Sequence, residues 1–294
     1  MPNSSDIFIS ILDSNGADLL GSTYFGETDA DGNNSSLRYN YGDPARGDIT
    51  LDNQGNIIIS SYTYSDSLPI GNAVNSEYRG RQDGLVVSFN SDLSQLNWAS
   101  YVGGEGDDAT ISVRYTPQNR LYVTGITRSD TVAYDTNGVY QSFKKNLDDA
   151  FLAELNPNNG EVIKWTYTGT NQRDRSFFVD YTPQGNLVLF GQTNGSWPII
   201  GDSIWVVPNS SMFLQEISPD LERVLHSTVF GDGNLQKTDI SPTALMVSDC
   251  GDIFISGWGA PYTSTMGNPD GLPTTANAYR DSSAQGDFYF LRLS

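Results

Sequence analysis

Four aspartates stand at matching places along this 294-residue chain: Asp43, Asp108, Asp174 and Asp239. Each precedes a β-rich stretch, and neighbours lie about 65 residues apart. In a fold that repeats around an axis, equivalent positions fall on a ring. Four carboxylates converging there, helped by backbone carbonyls, would suit a hard cation such as Ca²⁺. Aspartate also accepts backbone N–H groups in tight turns, so each can instead cap its own local turn. The loop 103–108, Gly-Gly-Glu-Gly-Asp-Asp, resembles a cation loop only loosely. Residues 29–34, Asp-Ala-Asp-Gly-Asn-Asn, come closer to a Ca²⁺ loop but lack its distal glutamate.

Aromatic residues form the second chemical group. Trp197, Trp205, Trp258 and Tyr262 lie in or beside Pro- and Gly-containing stretches. Exposed rings there would stack on a sugar or contact a protein, whereas buried ones would fill gaps between packed sheets. Catalytic signatures are sparse. The single histidine, His226, sits inside the β-rich run Val224–Phe230, and Cys250 is the one cysteine. One of each excludes a conventional zinc site and any internal disulfide. No nucleophile elbow of the Gly-x-Ser-x-Gly type occurs, and no phosphate-binding loop. Paired carboxylates for glycoside cleavage remain conceivable among 35 acidic residues, but no spacing marks a pair. A non-enzymatic protein is expected.

The elements that must hold these residues are repeats. A turn signature recurs with central residues Gly55, Asn119, Gly185 and Gly251. Gly and Asn accept φ > 0 most readily, so one turn geometry is expected four times. An apolar run follows each turn: Ile57–Ile59, Leu121–Val123, Leu187–Phe190 and Ile253–Ile255. An aromatic-rich strand ends in Gly26, Gly103, Gly169 and Gly231. An alternating strand appears five times, at Ile7–Leu12, Leu85–Phe89, Phe151–Leu155, Met212–Ile217 and Phe288–Leu293. Its period of two sets one face inward and one outward.

No segment has a helical period. The expected fold is therefore all-β: a β-propeller of four-stranded antiparallel blades, with four repeats plus one extra strand, as an incomplete or open ring. Residues 1–5 form a tail, and 6–294 one propeller domain. The repeats run approximately 6–84, 85–150, 151–211 and 212–287, with the extra strand at 288–294. Tyr24, Trp98 and Trp165 are candidate wedges between blades.

A formal charge of −19 opposes binding to nucleic acid or anionic lipid and favours solubility or cation binding. No apolar run is long enough to span a bilayer, so membrane insertion is not expected. The polar start, Met1-Pro2-Asn3-Ser4-Ser5, lacks a signal-peptide core and reads as a trimmed end of a larger multidomain chain.

The second copy carries Trp98-Ala99-Ser100-Tyr101-Val102-Gly103-Gly104, then Leu121-Tyr122-Val123-Thr124-Gly125, then Asp149-Ala150-Phe151-Leu152. The fourth keeps Leu272-Pro273-Thr274-Thr275 and Asp252–Gly259. These resemble the bacterial β-propeller repeat often called SBBP, found in large surface proteins of gliding or adhesive Bacteroidetes that use type IX secretion. Ser210-Ser211 replaces the usual Gly-Asp pair, and the first copy has an insertion around Asp29–Tyr41. The resemblance implies an extracellular or cell-surface module for adhesion or protein interaction. A carbohydrate-binding module is the alternative, with a propeller glycosidase or lyase behind it. The partner would be a protein or a surface glycan.

Overall fold

The computed structural model describes residues 5–294, apart from 41, 73, 76, 236, 260–268, 270, 284 and 285. The β-branched and aromatic runs are strands, as their composition demands. The first complete sheet contains β3 (Asp48–Leu51), β4 (Ile57–Thr63), β5 (Asp83–Phe89) and β6 (Leu96–Val102), in that spatial order. The second contains β7 (Asp108–Tyr115), β8 (Leu121–Thr127), β9 (Asp149–Leu155) and β10 (Val162–Thr168). The third contains β11 (Asp174–Tyr181), β12 (Leu187–Thr193), β13 (Met212–Ile217) and β14 (Val224–Phe230). Then β15 (Ser241–Val247), β16 (Ile253–Trp258) and β17 (Phe288–Leu293) form a three-stranded sheet. At the start of the chain, β1 (Ile7–Leu12) and β2 (Leu19–Phe25) form a pair of their own.

The protein is thus all-β and of the β-propeller class, with antiparallel four-stranded blades and no α-helix among the described residues. The surplus strand is accounted for: β17 pairs with β16, and β1 pairs only with β2. Blades run from 48, 108, 174 and 241, so the sequence repeats cut at the alternating strand are offset from the sheets. A sequence period has a length but no phase, and hydrogen bonding supplies the phase.

The first two strands of each blade meet in one turn type. Gly55, Asn119, Gly185 and Gly251 have φ of 80°, 62°, 85° and 89°. In each turn the N–H of that residue donates to a carbonyl three residues back, for example Gly185 to Thr182 at 2.8 Å. The Thr182 Oγ1 also accepts from the Asn186 N–H at 3.2 Å. The first strand carries a register shift near its start in three sheets, at Thr110/Ser112, Ser176/Phe178 and Pro242/Ala244. Such bulges add local twist.

The long connection is always the one between the second and third strands: 64–82, 128–148, 194–211 and 259–287. Three of these segments run back along the fourth strand. Ala99 and Tyr101 on β6 donate to Ile70 and Asn75. On β10, Trp165 and Tyr167 donate to Asp135 and Gln141, and on β14, Val207 donates to Val229. An edge that would otherwise recruit another chain is thereby covered.

Contacts divide the chain into two compact units. The first is Met1–Arg38, Asp43–Asp135 and Leu152–Trp165; the second is Tyr39–Gly42, Thr136–Phe151 and Thr166–Ser294. In the first, Ile7, Ile9, Ile11 and Phe25 pack on Ile57, Ile59, Leu85, Val87 and Phe89. The Phe25 and Phe89 rings meet edge to face at 5.8 Å. The same sheet also packs against β7, so β4 and β5 are buried along their whole length. In the second unit, Val188, Phe190, Met212, Leu214 and Phe230 pack with Leu245, Ile255, Tyr289, Leu291 and Leu293. Trp98 and Trp165 are buried, as expected of wedges, whereas Tyr24 is exposed.

Because Gly185 has φ of +85°, Gly185→Ala is expected to cost about 1–2 kcal/mol, measured by urea unfolding. Asn119→Gly at the equivalent turn should change stability by less than about 1 kcal/mol.

Candidate functional site

The recurring aspartates sit where each blade begins. The fourth strand ends in glycine, the chain reverses, and an aspartate takes up the free N–H groups of that reversal. Asp108 Oδ2 accepts from the Gly104 N–H at 2.8 Å and the Ser129 hydroxyl at 2.6 Å. Asp174 Oδ2 accepts from the Thr170 N–H at 2.5 Å and its hydroxyl at 2.9 Å. Asp239 Oδ2 accepts from the Ser211 hydroxyl at 3.1 Å and the Asp232 N–H at 3.3 Å.

The first-copy member of this set is Asp31, not Asp43. Asp31 Oδ2 accepts from the Glu27 N–H at 2.9 Å and the Ser65 hydroxyl at 3.1 Å, and Thr63 donates to Oδ1. Asp43 lies on a single 3-10 turn, paired with Arg46 at 2.7 Å. The insertion after Asp31 moved the lock away from β3, and spacing alone therefore selected the wrong acid. The partial Ca²⁺-loop motif at 29–34 is this same lock, with Asn34 Oδ1 accepting from the Leu37 N–H at 2.8 Å.

The terminal glycines follow from these carboxyls. A Cβ on Gly103 would lie 2.3 Å from Asp108 Oδ2, and one on Gly231 would lie 2.1 Å from Asp239 Oδ2. No other residue leaves room for the carboxylate against the backbone.

A second aspartate neighbours the lock in most copies. Asp108 donates its N–H to the Gln82 carbonyl at 2.7 Å, next to Asp83. Asp174 donates to the Asp148 carbonyl at 2.9 Å, next to Asp149. Asp83 accepts from the Arg79 and Gly80 N–H groups at 2.8 and 2.9 Å, and Asp149 accepts from the Lys145 N–H at 2.7 Å. In the third copy Ser211 takes this second place and bonds to Asp239 directly. The Ser-for-Asp departure in the sequence is therefore a hydroxyl–carboxylate pair in place of two acids.

Burial pushes these carboxyls above the usual range: Asp108 and Asp149 to about 6, Asp83 and Asp174 to about 7. The neighbouring acid adds to the rise, Asp108 for Asp83 and Asp149 for Asp174. Asp31 and Asp239 are raised for the same first reason, with Asp6 and Asp232 contributing. The Oδ1 atoms of Asp108, Asp149, Asp174 and Asp239 have no hydrogen-bond partner in the protein. An ionised carboxylate is costly there, and a proton on one oxygen relieves the cost. Among the described residues no three Asp, Glu, His or Cys side chains group as metal ligands.

Of the four candidate aromatics, Trp197 is buried, stacked on Phe213 at 3.8 Å with its indole N–H on Ser227 at 2.9 Å. It fills the blade and presents no surface. Trp205 is exposed, while Trp258 ends β16 half-buried. Tyr262 lies outside the described residues. The structure adds Phe143 and Tyr279, both exposed. Trp205, Phe143 and Tyr279 all belong to long connections between second and third strands. The extra length between sequence landmarks was the signal that could have found them. His226 is exposed, with Nδ1 2.6 Å from Glu216 on the paired strand. Sequence spacing also missed Arg175, which is buried against Asp148 at 3.1 Å and lies over the Tyr39 ring at 4.0 Å.

No protein-family model matches the chain, and no curated protein matches it. Among solved structures, a protein of unknown function from Dyadobacter fermentans is similar at 10% identity with a TM-score of 0.39. The match covers 72% of this chain and 56% of that one, so the chain spans little more than half of that protein's length.

The raised acids set a direction for pH dependence. The folded chain keeps these protons to higher pH than the unfolded chain does. Their contribution is full below about pH 4 and is lost as pH rises through 6 to 7. For Asp108, raised to about 6, the loss is on the order of 3 kcal/mol. Urea midpoints should fall between pH 5 and pH 8, and Asp108→Asn should flatten that fall; equal slopes would show that Asp108 does not titrate there. Because the locks draw their donors from the protein, millimolar Ca²⁺ or a chelator should leave the melting temperature unchanged. A Ca²⁺-dependent rise would reassign the acids to a cation.

Proposed function

We propose that this chain is a non-enzymatic binding module of a secreted or cell-surface bacterial protein, built on SBBP-type repeats and serving protein interaction or adhesion. One observation carries the reading. Each blade sends its single long connection from the same strand junction, and those connections hold the exposed rings Phe143, Trp205 and Tyr279. A rigid sheet that displays variable segments is suited to recognition. Large rings on such segments give contact area at low entropy cost. The recurring acids, by contrast, are occupied in closing turns, which favours binding over general acid–base chemistry. The net charge of −19 favours a soluble, exposed setting and disfavours nucleic acid.

A carbohydrate ligand is the second reading, favoured by the flat exposed rings of Trp205 and Tyr279. A glycan array and a display library of folded proteins and peptides separate the two. The expected result is protein or peptide binding, weakened at least about 10-fold by Trp205→Ala, Phe143→Ala or Tyr279→Ala with the melting temperature unchanged. Saccharide binding lost in the same variants supports the second reading. Turnover of a polysaccharide, abolished by a single Asp→Asn change, overturns the non-enzymatic assignment.

A further inference from the structure

A polar cleft of about 290 Å³ lies in the first unit beside the turn at Gly55. It is walled by that turn, by β5 and β6, and by Asn72 from the long connection of the same sheet. Tyr115, Asn119 and the 157–158 turn close its other side. The cleft exists because a recurring brace is missing there. In three sheets the residue just before the second strand bonds across to the residue before the last of the third strand. Arg120 meets Glu154 at 2.6 Å, Asn186 Nδ2 donates to Glu216 Oε1 at 2.7 Å, and Arg292 meets Asp252 at 2.7 Å. Each brace holds at least one charged side chain across that corner of the sheet. In the first sheet the same two places hold Asn56 and Ser88. Asn56 Nδ2 donates instead to Asp52 Oδ2 at 2.8 Å and Gln54 Oε1 at 3.2 Å. Ser88 Oγ accepts from Asn97 Nδ2 at 3.2 Å. Two short neutral side chains leave the corner open.

The chemistry of the walls selects the ligand. Seven of the twelve lining residues are Asn or Gln, and Asp52 is the one charged side chain among them. A carboxamide both donates and accepts, and so does a sugar hydroxyl. A phosphate or carboxylate only accepts, and it calls for an Arg or Lys that these walls lack. An apolar ligand would strip water from the amides and leave them unpaired. Several of these groups are already held in place. Asn56 and Asn97 are fixed as described, the Tyr115 hydroxyl donates to Asn119 Oδ1, and the Trp98 indole N–H donates to the Pro157 carbonyl at 2.9 Å. Groups held before binding lose less freedom on binding.

We propose that this cleft is a binding site for a neutral saccharide, with the carboxamides of Gln54, Asn72, Gln95 and Asn97 reading its hydroxyls. Its volume is at the small end for ligand pockets, which suits a single sugar unit. Asp52 accepts hydroxyl protons and repels an anionic sugar. The site is separate from the exposed rings Phe143, Trp205 and Tyr279, which are not among its walls. Its failure would therefore leave the reading of the long connections standing.

Saturation-transfer NMR and calorimetry with the methyl glycosides of glucose, galactose, mannose and N-acetylglucosamine test the site. At least one should bind, with a Kd on the order of 1 mM. The double variant Asn56→Arg, Ser88→Glu rebuilds the Arg120–Glu154 brace in the first sheet. It should weaken that binding at least about 10-fold with the melting temperature not lowered. Asn72→Ala, at an exposed residue, should weaken it about 3-fold or more. Trp205→Ala and Tyr279→Ala should bind the sugar as the unaltered chain does. Methyl glucuronide should bind more weakly than methyl glucoside. No binding of any of the four glycosides at about 100 mM overturns the proposal. So does binding that survives both the double variant and Asn72→Ala, or that is lost with Trp205→Ala or Tyr279→Ala, or that favours the glucuronide. Peptides from the display library that bind the unaltered chain and are lost in the double variant would assign the cleft to a peptide instead. Circular dichroism checks folding; should the double variant fail to fold, Asn72→Ala combined with Gln95→Ala carries the same test.

Discussion

A four-stranded antiparallel sheet with apolar residues on both faces cannot stay soluble alone. In this protein that constraint is met by stacking: β4 and β5 are buried along their whole length because β1–β2 covers one face of their sheet and β7 contacts the other. Area removed from water stabilises at roughly 25 cal/mol per Å², and only stacking removes it from two faces at once. The outer edge of a complete blade is handled by a different device, a long connection laid along the fourth strand. The middle strands of the complete sheets are covered, while the first strand of the first sheet keeps Ile49 and Leu51 exposed.

Stacking requires each chain reversal between blades to be tight, and the buried carboxyl supplies the tightness. It accepts N–H groups that would otherwise be buried without a partner, a loss of about 1–3 kcal/mol for each. For Asp108, Asp174 and Asp239 the consequence is an acid held away from water with its second oxygen unpartnered, and hence a raised pKa. At Gly103 and Gly231 the same carboxyl forbids a side chain on the glycine, and at Gly169 the neighbouring Asp149 crowds that position. The buried acids of each reversal therefore explain its closure, the glycine that ends the fourth strand and the expected loss of stability with rising pH. Where the neighbouring acid is replaced by Ser211, its hydroxyl donates to Asp239, and the Asp239 carboxyl still accepts the Asp232 N–H.

Recognition and folding are separated in this arrangement. The acids point into the reversals, and the exposed rings Phe143, Trp205 and Tyr279 ride on connections that vary in length from blade to blade. Ser65, Ser129 and Ser211, which donate to the locks, sit at the ends of those connections, so changes confined to the middle of a connection leave the lock's partners in place.

The sequence by itself determined the repeat, the strands and the turn at Gly55, Asn119, Gly185 and Gly251, because these depend on period and on residues that tolerate φ > 0. It also made Asp108, Asp174 and Asp239 conspicuous, though not their task. Only the tertiary structure decided that Asp31 and not Asp43 belongs with them, since an insertion alters spacing without altering which carboxyl meets the reversal. It likewise decided that Trp197 is covered by Phe213 while Trp205 is open. Exposure is a property of what other strands bring to a position, and Phe8 and Phe290 make the point: by pattern they match core residues, yet both are exposed.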